Sequence, residues 1–205
     1  MGAGRPSAAE RVRRSRQAAR ERIVAAATEL VRQRSYATLS VEEVMREAGL
    51  GRTIFYRHFD DLADLILRAG REAIDELYEA ERRLHEMQAQ GGPLESIPQA
   101  IAIAVDTYHR HGPLLRAIAE ASAGDDQLAA RYHAIRERFD TLTREGLELT
   151  PRFAGPRAAD AGEVALALNL MNEAYLLDAF GREPRVTPEV ARRALTAIWS
   201  AVVGE

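Results

Sequence analysis

The sequence predicts an all-α protein of about nine helices, with a small head of short helices followed by a helical-bundle body. Three observations carry that prediction. Apolar residues recur at spacings of three and four along most of the chain. Strand signals are nearly absent, since only short stretches alternate and β-branched residues are sparse outside helical patterns. Breaks containing Gly and Pro separate the periodic segments.

Met1 to about Gln17, "MGAGRPSAAERVRRSRQ", is small, Arg-rich and has almost nothing to bury, so it reads as a mobile arm. From Ala18 to Arg34 the pattern becomes helical, with Ile23, Ala26, Ala27, Leu30 and Val31 on one face. Ser40 with Glu43 three residues on is a capping box, and it starts a short helix over Val41–Ala48 with Val44 inward. Gly49 ends that helix, because Gly tolerates the left-handed conformation of a helix stop. Leu50 anchors the turn, and a second short helix covers about Arg52 to Phe59. Asp61 caps a long helix that runs to about Gln88. After the break "QGGPLES", helices are expected over Leu94–Arg110, Pro113–Ala121, Asp126–Leu149, Ala159–Phe180 and Pro188–Val203. Thr187-Pro188 is a cap followed by Pro at the first helical position. There is no internal repeat.

With 205 residues, 46% of them hydrophobic and 29% charged, the chain suits one fair-sized domain or a small one plus a larger one. No apolar run reaches bilayer length, and the Arg-rich N-terminus lacks the apolar stretch of a secretory signal. The absence of cysteine excludes disulfides and thiol chemistry and fits a cytoplasmic protein. All 28 basic residues are Arg. Residues 1–60 hold 12 Arg against 7 acids, net +5, while residues 61–205 hold 16 against 24, net −8. A basic head on an acidic body suggests that the head meets an anion and the body does not.

Two short helices joined by a Gly turn, after a longer helix, make a helix-turn-helix. In the second of them Leu50, Phe55 and Phe59 point to the core, leaving Arg52, Thr53, Tyr56 and Arg57 outward. That outward set suits a DNA groove: Arg bonds guanine O6 and N7, Thr meets a base edge, and Tyr donates to phosphate. Over Arg22–Phe59 the chain resembles the TetR family of bacterial transcriptional repressors. The likeness lies in "RIVAAATELV", "TLSVEEV", the "AGL" turn and "TIFYRHF". The resemblance implies base contacts at Arg52, Thr53, Ile54 and Arg57, and backbone-phosphate contacts at Thr38, Tyr56 and His58; Ile54 is equally a core candidate. It also implies a homodimer on a palindromic site of double-stranded DNA, its recognition helices roughly 34–36 Å apart. The chain departs from the family pattern at Ser35, a frequent Gly, at Met45, a frequent Ala, and at Gly51, a frequent Ser or Thr cap. Leu62 stands where many members place a phosphate-binding Lys, beside Asp60 and Asp61. That weakens the expected DNA contact, and the arm's Arg5, Arg11, Arg13, Arg14 and Arg16 either compensate or form a solvated tail.

On this division residues 1–17 are the arm, 18–63 the DNA-binding head, and 64–205 a ligand-binding and dimerisation body. In the body, "ALNLMNEAYLLDAFG", "ALTAIWSAVV" and "IAIAVDTYHRHGPLLRA" resemble the mycobacterial branch of the family that controls ethionamide activation. Asn169, Asn172 and Glu173 share a helix face among Leu166, Leu170 and Leu176. Buried amides need partners, supplied either by neighbouring helices or by a ligand. The resemblance implies the ligand, and adds Tyr108, Tyr132, Phe139, Thr143 and Trp199 to the wall. Ile97 and Ala104 replace aromatics of that branch, so the effector is expected to differ: largely apolar, elongated, and held by a few amides. Ala191, Ala194, Leu195, Ile198 and Val202 form a stripe for pairing the last two helices with a second copy.

No cofactor is expected, and no enzyme: there is no Gly-rich phosphate loop or Cys nucleophile, and His58, His85, His109, His111 and His133 lie apart except for His109-Arg110-His111. Those two His either bind metal or, more simply, flank the last carbonyls of a helix ending at Gly112. The sequence therefore points to a ligand-responsive repressor, against the alternative of a ligand-binding interaction protein that has lost strong DNA binding.

Overall fold

The computed structural model describes residues 7–89, 93–153 and 160–203. Among these residues the chain forms nine α-helices, two short 3-10 turns and no strand. Helix α1 is Ala8–Gln33, α2 is Val41–Glu47, α3 is Arg52–Phe55, α4 is Leu62–Ala69 and α5 is Arg71–Ala89. Helix α6 is Pro93–Ser122, α7 is Asp126–Glu148, α8 is Ala161–Phe180 and α9 is Pro188–Val203.

The expected caps form. Ser40 and Glu43 make the reciprocal capping box of α2, and the Asp61 carboxylate accepts from the Asp64 N–H at 2.7 Å to start α4. Gly49 ends α2 at φ 63°, the left-handed conformation a side chain would resist. Arg22 of α1 locks that turn by donating to the Ala48 carbonyl at 2.6 Å.

Four elements differ from expectation. Residues 8–17 are not a loose arm but the first turns of α1, started by a capping box between Ser7 and Glu10. The remainder of that arm, Met1 to Pro6 with Arg5, lies outside the described residues. Helix α3 closes at Phe55, and hydrogen-bonded turns carry the chain through Phe59. The long helix expected after Asp61 is two helices, α4 and α5, meeting at Gly70. Conversely, the break expected at His111-Gly112 does not occur: α6 runs through it, with Pro98 and Pro113 inside. Gly112 is there for packing. A Cβ at that position would clash with the Phe180 backbone carbonyl, so Gly lets the end of α8 lie against α6.

The head core joins Ile23, Ala27 and Val31 of α1, Val44 and Met45 of α2, Phe55, Phe59, and Leu65 and Ile66 of α4. The same buried cluster includes Leu114, Leu115 and Ile118 of α6, so head and body share apolar contact. A second cluster lies where α6, α8 and α9 meet, around Val105, Leu176, Phe180, Ala191 and Leu195. Helix α6 is the axis of the molecule, packing on α1, α4, α5, α7, α8 and α9.

Candidate nucleic-acid interface and ligand cavity

The α3 turn sorts its side chains as periodicity demands. Phe55 and Phe59 are buried, whereas Arg52, Thr53, Tyr56 and Arg57 face solvent. Ile54 is half-buried and packs on the head core, so it is at least partly a core residue. Thr38 is exposed, its hydroxyl donating to the Ser35 carbonyl at 2.8 Å. Gly51 caps α3 without a side-chain bond, as expected for Gly in place of Ser or Thr. Arg52 donates to Glu42 of α2 and, at 3.1 Å, to the Tyr56 hydroxyl. Leu62 packs against the head core, and the neighbouring aspartates serve the start of α4: Asp64 accepts from the Asp60 N–H at 3.2 Å.

The helical start of α1 brings charge to this surface. Burial, and then the charges of Arg16, Arg20 and Arg57, hold the His58 imidazole below its usual range. Arg16 and Arg20 therefore lie within electrostatic reach of His58, on the same side as Arg57. These three arginines make no ion pair among the described residues.

The body holds a cavity of about 130 Å³ between α5, α6, α7 and α8. Of the residues expected there, Tyr108, Tyr132, Phe139, Asn169 and Asn172 line it. Thr143 and Trp199 do not; they stand behind the amides. The Asn169 amide donates to Asp140 at 2.9 Å and to Thr143 at 3.1 Å, and the Trp199 indole N–H donates to the Asn172 carbonyl at 3.1 Å. Neighbouring helices thus satisfy Asn169 and one end of Asn172. The Asn172 Nδ2 donor has no partner among the described residues. Leu170, expected beside the amides, instead faces outward at 42% exposure. Ala104 is in the wall, while Ile97 is buried in the α6–α8–α9 cluster.

Sequence reasoning put Glu173 on the face of the two amides without giving it a role, and missed Arg136 and Asp140 as wall residues. The signal was present: positions 132, 136, 139, 140 and 143 share a helical face, and Glu173 lies four residues after Asn169. Glu173 accepts from the Tyr132 hydroxyl and meets Arg136 at 3.4 Å, and burial pushes its carboxyl above the usual range. The α5 contribution, Ile74, Leu77 and Ala80, is wholly apolar.

Arg116, a buried residue of α6, ties that helix to the ends of α1 and α8. Its guanidinium donates to the Val31 carbonyl at 2.7 Å and the Arg34 carbonyl at 3.1 Å, both at the end of α1. It also donates to the Gly181 carbonyl at the end of α8, at 2.7 Å, and pairs with Glu120. Glu120 in turn accepts from the Ser35 hydroxyl at 2.6 Å and the Tyr36 N–H at 2.8 Å. Burial opposes the Glu120 charge, but these three donors prevail and hold its carboxyl low. Ser35 is thereby a structural contact.

His109 and His111 do not sit at a helix end, because α6 continues past them. His109 lies edge-on to Phe180, and Glu76 is bound by Arg110 at 2.7 Å with His111 at 4.0 Å. The His85 side chain lies outside the described residues. Among the described residues no group of three or more His, Asp or Glu is arranged to hold a metal ion, and no helix is long and apolar enough to cross a membrane.

Residues 97–204 match the family described as "Transcriptional regulator EthR, C-terminal domain", and residues 23–69 match "Bacterial regulatory proteins, tetR family". The chain is 28% identical over 186 residues to the HTH-type transcriptional regulator EthR of Mycobacterium tuberculosis, covering 89% of this chain and 86% of that protein. It is 27% identical over 186 residues to EthR of Mycolicibacterium smegmatis, covering 86% and 82%. In structure it is similar to a TetR-like transcriptional regulator from a Rhodococcus species, with TM-score 0.70, 17% identity, and 91% and 97% of the two chains covered. The TetR-family regulator PfmR of Thermus thermophilus superposes with TM-score 0.69 at 17% identity, covering 90% and 95%.

Proposed function

The chain belongs to the TetR family of bacterial transcriptional regulators, in the group defined by the EthR C-terminal domain, and from that membership we propose how it works. It is a ligand-responsive DNA-binding regulator that represses by binding a palindromic operator as a homodimer and is released by a small, largely apolar effector. The observation that carries this reading is the outward set Arg52, Thr53, Tyr56 and Arg57 on a turn pinned from within by Phe55 and Phe59.

Arg52 and Thr53 read base edges, joined by Arg57 and the exposed part of Ile54. Thr38, Tyr56 and His58 hold the phosphate backbone. Arg16 and Arg20 of α1 supply the phosphate attraction that Leu62 cannot. In this scheme residues 18–63 with the helical extension 8–17 act as the head, and residues 64–205 as the receiver.

The effector occupies the cavity, where Asn172 offers a free amide donor. Its α6 and α8 walls both lead to Arg116, which grips the end of α1. An effector that shifts α8 against α6 therefore shifts the head, and DNA and effector oppose one another reciprocally. Dimerisation uses α8 and α9. The stripe expected to meet the partner is mostly used within the protomer, since Ala191 and Leu195 are buried and Val202 packs against the same cluster. Leu170 on α8 and Ile198 on α9 remain 42% and 41% exposed and supply the apolar contact with the second copy.

Footprinting of the purified protein on DNA of its own genome at low salt tests the proposal. Protection of a palindrome with half-sites about one helical turn apart is expected. If no site is protected, the chain is better read as a ligand-binding interaction protein.

A further inference from the structure

We propose that the cavity selects a small aromatic molecule bearing a protonated amine, with Glu173 as its counter-ion. The inference rests on the reading of this cavity as the effector site and narrows its chemistry. Two carboxylates, Glu173 and Asp140, line the wall against one guanidinium, Arg136. Asp140 is engaged by the neutral Asn169 amide at 2.9 Å, which leaves its charge uncancelled.

Arg136 does not neutralise Glu173 fully. Their contact is a single one at 3.4 Å, longer than the roughly 2.7–2.9 Å of a strong charge-assisted bond. The Glu173 carboxyl lies above its usual range because burial dominates, the sign of an anion lacking sufficient compensation. Its field also reaches the opposite wall. Burial raises the Tyr108 phenol on α6 most; the Glu173 charge raises it further, and Arg136 opposes with the smaller effect. Tyr108 lines the cavity and makes no hydrogen bond among the described residues. No charged group comes from α5.

The remaining surface suits a cation on an apolar body. The rings of Tyr108, Tyr132 and Phe139 lie in the same wall, and aromatic faces attract ammonium groups. The size is that of one ring: the cavity is about 130 Å³, and an engineered cavity of about 150 Å³ accepts benzene. An ammonium beside Glu173 would supply the missing positive charge, whereas a carboxylate ligand would add to the excess negative charge.

The test uses benzylamine and benzyl alcohol, which match in size and differ in charge, titrated calorimetrically into the full-length protein near neutral pH. Benzylamine is expected to bind roughly tenfold more tightly, the gain of one cation contact in a desolvated site. In Glu173→Gln the ratio should collapse to near one, and in Arg136→Gln it should grow. Equal or weaker binding of benzylamine by the unaltered protein overturns the proposal, as does a preference that survives Glu173→Gln. Should Glu173→Gln fail to fold, the comparison in the unaltered protein still decides. If the alcohol binds without any preference for the amine, only the charge selectivity is wrong. If neither probe binds, the cavity is not a small-molecule site and both readings fall.

Discussion

Arg52 is held in the free protein by Glu42 and Tyr56, groups it would have to leave to reach a base. Its bond to Glu42 joins two side chains that are 60% and 56% exposed, and such pairs contribute about 0–1 kcal/mol. A bidentate guanine contact would discriminate against a wrong base by about 1–3 kcal/mol, and so weak a pair with Glu42 is a small barrier to making it. Arg52→Ala should therefore relax base preference at one operator position by about that amount, seen in competition between single-base variants; unchanged preference would remove its role. His58 gives a pH signature. Its pKa is lower in the folded chain than unfolded, so its contribution to stability is present above the ordinary value of about 6.5 and is lost as pH falls through the depressed one. A phosphate beside it works the other way and favours the proton. Operator affinity should rise as pH falls from about 7.5 to about 6, and His58→Gln should flatten that rise; the same slope in both proteins would show that His58 does not meet phosphate. The charged groups that face His58 are Arg16, Arg20 and Arg57. The outward and inward residues of this turn were legible from spacing alone. The Glu42 contact was not, because Glu42 sits on a different helix.

The helices show where local rules suffice and where packing overrides them. Ser40, Glu43, Gly49 and Asp61 act within their own turns, and each does what its sequence context predicts. Gly112 reads as a break but serves the close approach of α8, which no local pattern reports. Ser7 with Glu10 is a capping box as plain as Ser40 with Glu43, yet the lack of apolar residues after it suggested a tail. A cap and good helix formers suffice there, because α1 is nucleated by its packed half. Arg116 is the element-scale test. It satisfies carbonyls at the ends of α1 and α8 and is the charge partner of Glu120. Arg116→Met should destabilise the protein by about 3–5 kcal/mol in urea unfolding, since Glu120 is left without its cation and the carbonyls without a donor. A loss below about 1 kcal/mol would mean that the junction is water-filled and does not couple the head to the body.

At the scale of the molecule, residues 1–60 carry +5 and residues 61–205 carry −8, a division that suits the N-terminal end to a polyanion. Two copies joined through α8 and α9 would present two such ends. Ile198→Glu should give a monomer in sedimentation equilibrium with a helical spectrum like the parent's, and operator affinity should fall by at least tenfold because each half-site must then be bound alone. A dimer that persists in both Ile198→Glu and Leu170→Glu would place the interface elsewhere. The all-helical class, the helix-turn-helix and its outward residues were determined by the sequence alone, because periodicity, caps and turn residues act over a few positions. Only the tertiary structure decided which polar groups meet across helices. It placed Glu173, Arg136 and Asp140 around one cavity, and it joined the ends of α1 and α8 through Arg116. Those contacts link residues up to 85 positions apart, and burial between packed helices, not local pattern, sets their chemistry.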